Sequence, residues 1–271
     1  MPNPRFIQTA ERWKNPETPS EKVKQAEQRR TPTAAVPDYD YFFLGDDLGR
    51  ETHEAITRKY GAENPFVTKD VSYDSDSKLV KGSKPGYIIA VNEILGDRNL
   101  RTATSYDVQK AIDEGKINQS RIYEDIGLVL YSESGENEYL ARDLAAQVRK
   151  RNGRVEFPTL ISLVELGLKV DKNAPNGMAF NLTNDNQIVQ AQQLSNANDQ
   201  KRFSKLNEFG LPIFEDSGKH TFYSGNSGLR MLIRDRDSDL DARYWYLVYS
   251  DADGRVLVVR EAARSSSGGT R

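Results

Sequence analysis

Proline placement constrains this chain more than any other feature. Six of its eleven prolines (Pro2, Pro4, Pro16, Pro19, Pro32 and Pro37) fall within the first 37 residues. Each one fixes φ and removes a backbone donor, so no long helix or strand can cross these points. Residues 1–37 therefore read as a disordered or extended N-terminal arm. Only a short polar helix fits inside it, over Glu21–Arg30 with Ser20 as N-cap, and such a helix has no apolar face to hold it. The arm carries seven basic and four acidic side chains. It also holds Phe6, Ile7 and Trp13, apolar groups that could anchor it on a partner.

Downstream, the periodicity changes. The pattern predicts a helix over Asp46–Tyr60 stopped by Gly61, then a polar, turn-rich connection over 62–85 read as a surface loop or irregular hairpin. It predicts a strand at Gly86–Val91 and a helix capped by Ser105 and running to Glu114. A buried strand follows at Ile126–Tyr131, and then the most regular helix, Glu136–Asn152, with Gly153 as its stop. Arg154–Phe157 reads as a short strand, and Thr159–Leu166 as a helix capped by Thr159. From Asn173 the chain turns rich in Asn and Gln, then in strand signals: Met178–Leu182, His220–Tyr223 and Leu229–Ile233. Gln187–Leu194 fits strand or helix. Arg243–Tyr249 and Arg255–Arg260 read as an antiparallel hairpin about Ser250–Gly254. The expected fold is mixed α+β. Central βα units over 38–172 precede a β-rich part over 173–263, and residues 264–271 form a flexible tail.

Composition excludes several function classes. The chain has no cysteine and only two histidines, His53 and His220. Disulfides, thiolate nucleophiles, Cys-ligated zinc, iron–sulfur clusters and His-rich metal centres are all ruled out. A formal charge of -2 supplies no global field for a polyanion. The residues after Met1 lack the apolar core of a signal peptide, and no run of about 18 apolar residues could span a bilayer. A cytoplasmic protein without a membrane association is expected, and no cofactor is called for.

Four places could carry chemistry or contacts. The loop Ser132–Asn137 joins the buried strand to a helix N-terminus, where free N–H groups can hold an anion. Its hydroxyl- and glycine-containing turn resembles the phosphate loop of flavodoxin-like proteins, which implies a small-ligand site using Ser132, Ser134, Gly135 and Asn137. Glu133 and Glu136 depart from that pattern by placing negative charge where the phosphate sits. The alternate aspartates Asp235, Asp237 and Asp239 could converge on a cation. However, Leu240 and Tyr246 stand where an EF-hand needs Gly and Glu. His53 and His220 read as structural. Finally, Tyr244, Trp245, Tyr246 and Tyr249 with Arg243 offer a protein interface or a platform for single-stranded bases. The leading expectation is a non-enzymatic structural or interaction protein. It would dock on a protein partner or a homo-oligomeric assembly through the arm (Phe6, Trp13) and the aromatic hairpin (Arg243, Tyr244, Trp245, Tyr246). A ligand-binding enzyme and a nucleic-acid-binding protein are the alternatives.

Overall fold

A computed structural model describes residues 32–36, 40–118, 120–164, 166–183, 187–195 and 200–261. Phe6, Trp13, the helix expected over 21–30 and the tail 264–271 lie outside the described residues.

An eight-stranded sheet organises the molecule. Its order is β11 (Pro212–Phe214), β10 (Lys201–Leu206), β12 (His220–Tyr223), β14 (Leu240–Asp241), β13 (Leu229–Arg234), β5 (Glu124–Leu130), β6 (Thr159–Ser162) and β9 (Ile188–Gln190). At its centre β5 pairs antiparallel with β13 on one side and with β6 on the other. Every residue of β5 is buried, as a strand covered on both faces requires. The ladder to β13 slips by one residue at Ile126, between the pairs Leu232↔Gly127 and Ile233↔Asp125. Such a bulge re-aims the side chains that follow. Leu128 and Leu130 therefore pack into one hydrophobic cluster, while Ile126 and Val129 pack into the other.

The first cluster lies under three helices: α1 (Asp46–Tyr60), α2 (Pro85–Leu95) and α4 (Glu138–Asn152). The second lies under α3 (Ser105–Asp113), β10 and β12. A three-stranded sheet, β1 (Tyr41–Phe43), β15 (Leu257–Arg260) and β4 (Leu100–Thr102), closes one side. Two small hairpins complete the described strands: β2 (Ser72–Asp74) with β3 (Leu79–Lys81), and β7 (Gly167–Val170) with β8 (Met178–Asn181). The result is a mixed α+β fold. Its main sheet draws strands from both sides of residue 172.

Four local expectations are corrected. Gly86–Val91 belongs to helix α2, in which residues 85–91 are all buried. A β-branched run reads as strand, but a helix that is apolar all round is stable when surrounded by core, and Pro85 sits at its first turn, where proline is tolerated. Thr159 opens strand β6 rather than a helix, because Leu160 and Ile161 fill the two clusters on opposite faces of the sheet. Arg154–Phe157 forms no strand. The hairpin over 243–260 does not form: β15 pairs with β1 and β4, and residues 243–249 are irregular. The apolar run Leu257–Val259 is buried between two partners, whereas Tyr-Trp-Tyr at 244–246 has no alternation to give it an inner face. The Gln187–Leu194 segment is both things in turn, strand β9 and then a 3₁₀ turn, Gln192–Leu194.

The end of the arm is pinned to the body. Glu51 Oε2 accepts the backbone N–H groups of Thr33 at 2.6 Å and Ala34 at 3.0 Å. The Arg98 guanidinium donates to the carbonyls of Pro32 at 3.0 Å and Ala34 at 2.6 Å. The two backbone donors hold the Glu51 carboxyl below its usual range, Ala34 contributing most. Glu51→Ala should therefore speed limited trypsin cleavage at Arg29–Arg30 several-fold without altering thermal stability of the body. Equal cleavage rates would show that this contact does not hold the segment.

Candidate interaction surface

The segment 241–251 leaves the sheet at β14, which pairs with both β12 and β13. Beyond it the chain runs beside β13 one residue out of register, so that Met231 N donates to Tyr244 O at 2.9 Å. That irregularity turns the following rings outward. Tyr244, Trp245, Tyr246 and Tyr249 are 41%, 51%, 46% and 42% exposed. Large aromatic side chains are seldom left this open together. Trp245 meets Tyr246 edge-on, with centroids 5.8 Å apart. Together with Arg243, Tyr244, Trp245 and Tyr246 line a shallow depression of about 540 Å³.

The backbone under these rings is held at several points. The buried Arg230 donates Nη1 to Arg243 O at 2.5 Å, Nε to Ser227 O at 3.0 Å and Nη2 to Asn226 Oδ1 at 2.6 Å. Asn137 Nδ2 donates to Trp245 O at 2.5 Å and to Leu229 O at 2.9 Å. Leu247 is buried in the first cluster and stakes the far end of the segment. Arg243 grips the buried carboxylate of Asp241, with Nη2 at 2.5 Å from Oδ2, and lies over the Tyr223 ring at 4.1 Å. Charge-assisted and planar contacts of this kind fix Arg firmly.

The loop 132–137 and the aromatic segment, read separately in the sequence, thus meet. They do so in a way that occupies the loop. Ser132 Oγ donates to Ser134 O at 2.6 Å and accepts from Gly228 N at 2.9 Å. Gly135 packs against Ser227. Glu136 Oε2 accepts from Ser227 Oγ at 2.9 Å and pairs with Arg230 at 3.1 Å, and Glu133 pairs with Arg149. The turn 225–229 packs on this loop and engages the Ser132 hydroxyl, the Glu136 carbonyl and the Glu136 carboxylate. The Asn137 amide clamps the backbone of the ledge of rings through Leu229 O and Trp245 O.

The aspartates of 235–239 do not converge. Asp239 Oδ1 accepts from Thr221 N at 2.6 Å, Asp235 Oδ1 accepts from Arg236 N at 2.8 Å, and Asp237 meets the His220 ring through its carbonyl, 3.4 Å away. Among the described residues no group of three or more His, Cys, Asp or Glu could hold a metal ion. The alternation that suggested a cation loop instead serves turn capping. His53 is half-buried with Nδ1 3.1 Å from Tyr87 Oη, and burial lowers its pKa.

Sequence reading missed Arg230, whose signal was a lone charge inside the apolar run Leu229–Ile233. It also missed the buried polar knot beside the ledge's C-terminal end. Ser250 Oγ accepts from Ser83 N at 3.0 Å, Ser83 Oγ accepts from Asp125 N at 3.0 Å, and Tyr123 Oη accepts from Asp251 N at 3.1 Å. Fully buried Lys84 donates Nζ to the carbonyls of Pro65, at 2.9 Å, and Lys69.

No described helix is long and apolar enough to cross a membrane. Comparison with protein families, with curated proteins and with solved structures finds no match.

Proposed function

We propose that this is a non-enzymatic binding protein that recognises a protein partner through the ledge formed by Tyr244, Trp245, Tyr246 and Tyr249. One observation carries the reading: four half-exposed rings project from a backbone that Arg230, Asn137 and Leu247 already immobilise. Rigid aromatic anchors lose little conformational freedom on docking and bury large areas, which is why they dominate interface energetics. The charge around the ledge favours protein over nucleic acid. Six aspartates stand against two arginines between residues 235 and 253, a field that repels a phosphate backbone.

The test is capture by the full-length chain from an extract of its source, followed by native mass spectrometry. The comparison is with Tyr244→Ala/Trp245→Ala/Tyr246→Ala, with circular dichroism to confirm folding. A stoichiometric complex should be lost, since each ring truncated at a hot spot costs about 2 kcal/mol and the three together weaken affinity at least ~100-fold. A folded triple variant that keeps every complex of the wild type would overturn the reading.

A further inference from the structure

The ledge needs an occupant, and the chain itself carries a segment of matching chemistry. Pro16-Glu-Thr-Pro19 in the N-terminal arm is a Pro-x-x-Pro sequence. In the polyproline II conformation the two prolines lie three residues apart, one full turn, on the same side. Segments of this kind dock into aromatic-lined grooves, because the rings pack on the flat pyrrolidines and little chain entropy is lost. The charges also match. Residues 1–31 hold seven basic and four acidic side chains, and Lys14 and Lys22 flank the prolines. One carboxylate borders the ledge at its far end, Asp251, which accepts from Tyr249 Oη at 2.7 Å, whereas Asp253 is already paired with Arg236. Twelve residues, 20–31, link Pro19 to the pinned Pro32, and a tether of that length can span about 40 Å.

Resting on the reading of the ledge as a protein-docking surface, we propose that its occupant is the chain's own N-terminal arm, with Pro16 and Pro19 seated between the rings of Tyr244, Trp245 and Tyr246.

Trp13 and Trp245 are the only tryptophans, so full-length Trp13→Phe reports on the ledge alone. In that background, acrylamide quenching and the emission maximum of Trp245 are compared with and without Pro16→Ala/Pro19→Ala, substitutions outside the packed body. If the arm covers the ledge, losing the prolines should raise the quenching constant about two-fold or more and shift emission to the red. A synthetic peptide of residues 10–22 should then restore protection, and the same peptide with both prolines replaced should not. Protection that grows with protein concentration places the arm on a neighbouring copy, and protection independent of concentration places it on its own body. Both support the proposal. Equal, solvent-like quenching in both chains overturns it. The ledge itself is then judged by the capture experiment, which does not depend on the prolines.

Discussion

Gly228→Ala should destabilise the protein by about 3–5 kcal/mol, lowering Tm by roughly 10 °C in a chain of this size. Two causes add. Gly228 has φ +67°, where an L side chain is strained. A Cβ there would also press on the backbone N, C and O of Glu136 from inside van der Waals contact. Backbone cannot swing aside as a flexible side chain can. The turn would have to lift from the start of α4, breaking Leu229 N to Glu136 O at 2.9 Å and Gly228 N to Ser132 Oγ at 2.9 Å. Gly153 supplies the control. It also has positive φ, at +77°, but nothing lies within 4 Å of its added Cβ, so Gly153→Ala should cost only about 1 kcal/mol. Thermal unfolding by circular dichroism compares the two. Equal losses would mean that the turn 225–229 is not packed on α4. Because that turn also positions Asn137 and Arg230, Gly228→Ala should loosen the ledge as well as the fold.

The sequence was most informative where one physical rule acts alone. Helices α1 and α4 show clear amphipathic spacing and glycine stops, and both stand close to their expected limits. The strands at β5, β8 and β13 contain apolar runs that a sheet buries directly. Legibility failed where tertiary surroundings outweigh local preference. In α2, Tyr87–Val91 has strand-forming composition, but it is enclosed by core on every side, and only the assembled fold provides that enclosure. The hairpin expected at 243–260 failed for a related reason. Strand β15 had two better partners far away in sequence, β1 and β4, and pairing at that separation leaves no local trace. The aromatic ring cluster was visible in the sequence, whereas its exposure was not. Exposure depends on the one-residue offset against β13 and on clamps from residues 137 and 230. Nothing in the sequence marked Lys84, Glu124 and Asp125 for burial: Lys84 lies in the polar connection 62–85, and the two acids precede the apolar run Ile126–Tyr131. Their burial follows from the packing of α2 on β5, which no periodicity encodes.

Asp125 carries the other large effect, and its sign depends on pH. It is fully buried on the central strand, and neither carboxylate oxygen accepts a hydrogen bond of normal geometry. Burial pushes its pKa up to about 7, against the smaller opposing pulls of the nearby Ser83 hydroxyl and the Lys84 charge. An acid whose folded pKa exceeds its unfolded value of 3.8 is held neutral by the fold. The protein is therefore fully stable with respect to this group below about pH 4. It loses stability as pH rises between about 4 and 7, and the loss levels off above that. Three pKa units set an upper limit of about 4 kcal/mol, and relaxation of the site brings the expected loss to about 2–4 kcal/mol. Lys84 acts in the opposite sense at higher pH. Burial pulls its pKa down to about 8, so stability should recover as pH rises from about 8 toward 10.5. The wild type should thus be least stable near pH 7–8. A side-chain amide cannot ionise, so Asp125→Asn should match the wild type at pH 4 and exceed it by about 2–4 kcal/mol at pH 8. Urea unfolding across that range measures this. Glu124, also buried and raised mainly by desolvation, is pushed up further by the Asp125 charge, so removing that charge eases its titration and adds to the difference in the same direction. A difference that stays constant from pH 4 to 8 would show that the Asp125 carboxyl is not held protonated. The consequence reaches the ledge, because Asp125 N and Ser83 Oγ belong to the same knot as Ser250 and Tyr123, which hold the chain just beyond Tyr249. Ionising Asp125 introduces a buried charge beside that anchor which the Lys84 ammonium offsets only in part. Any occupant of the ledge should then bind more tightly at pH 6 than at pH 8 in the wild type, and equally at both in Asp125→Asn.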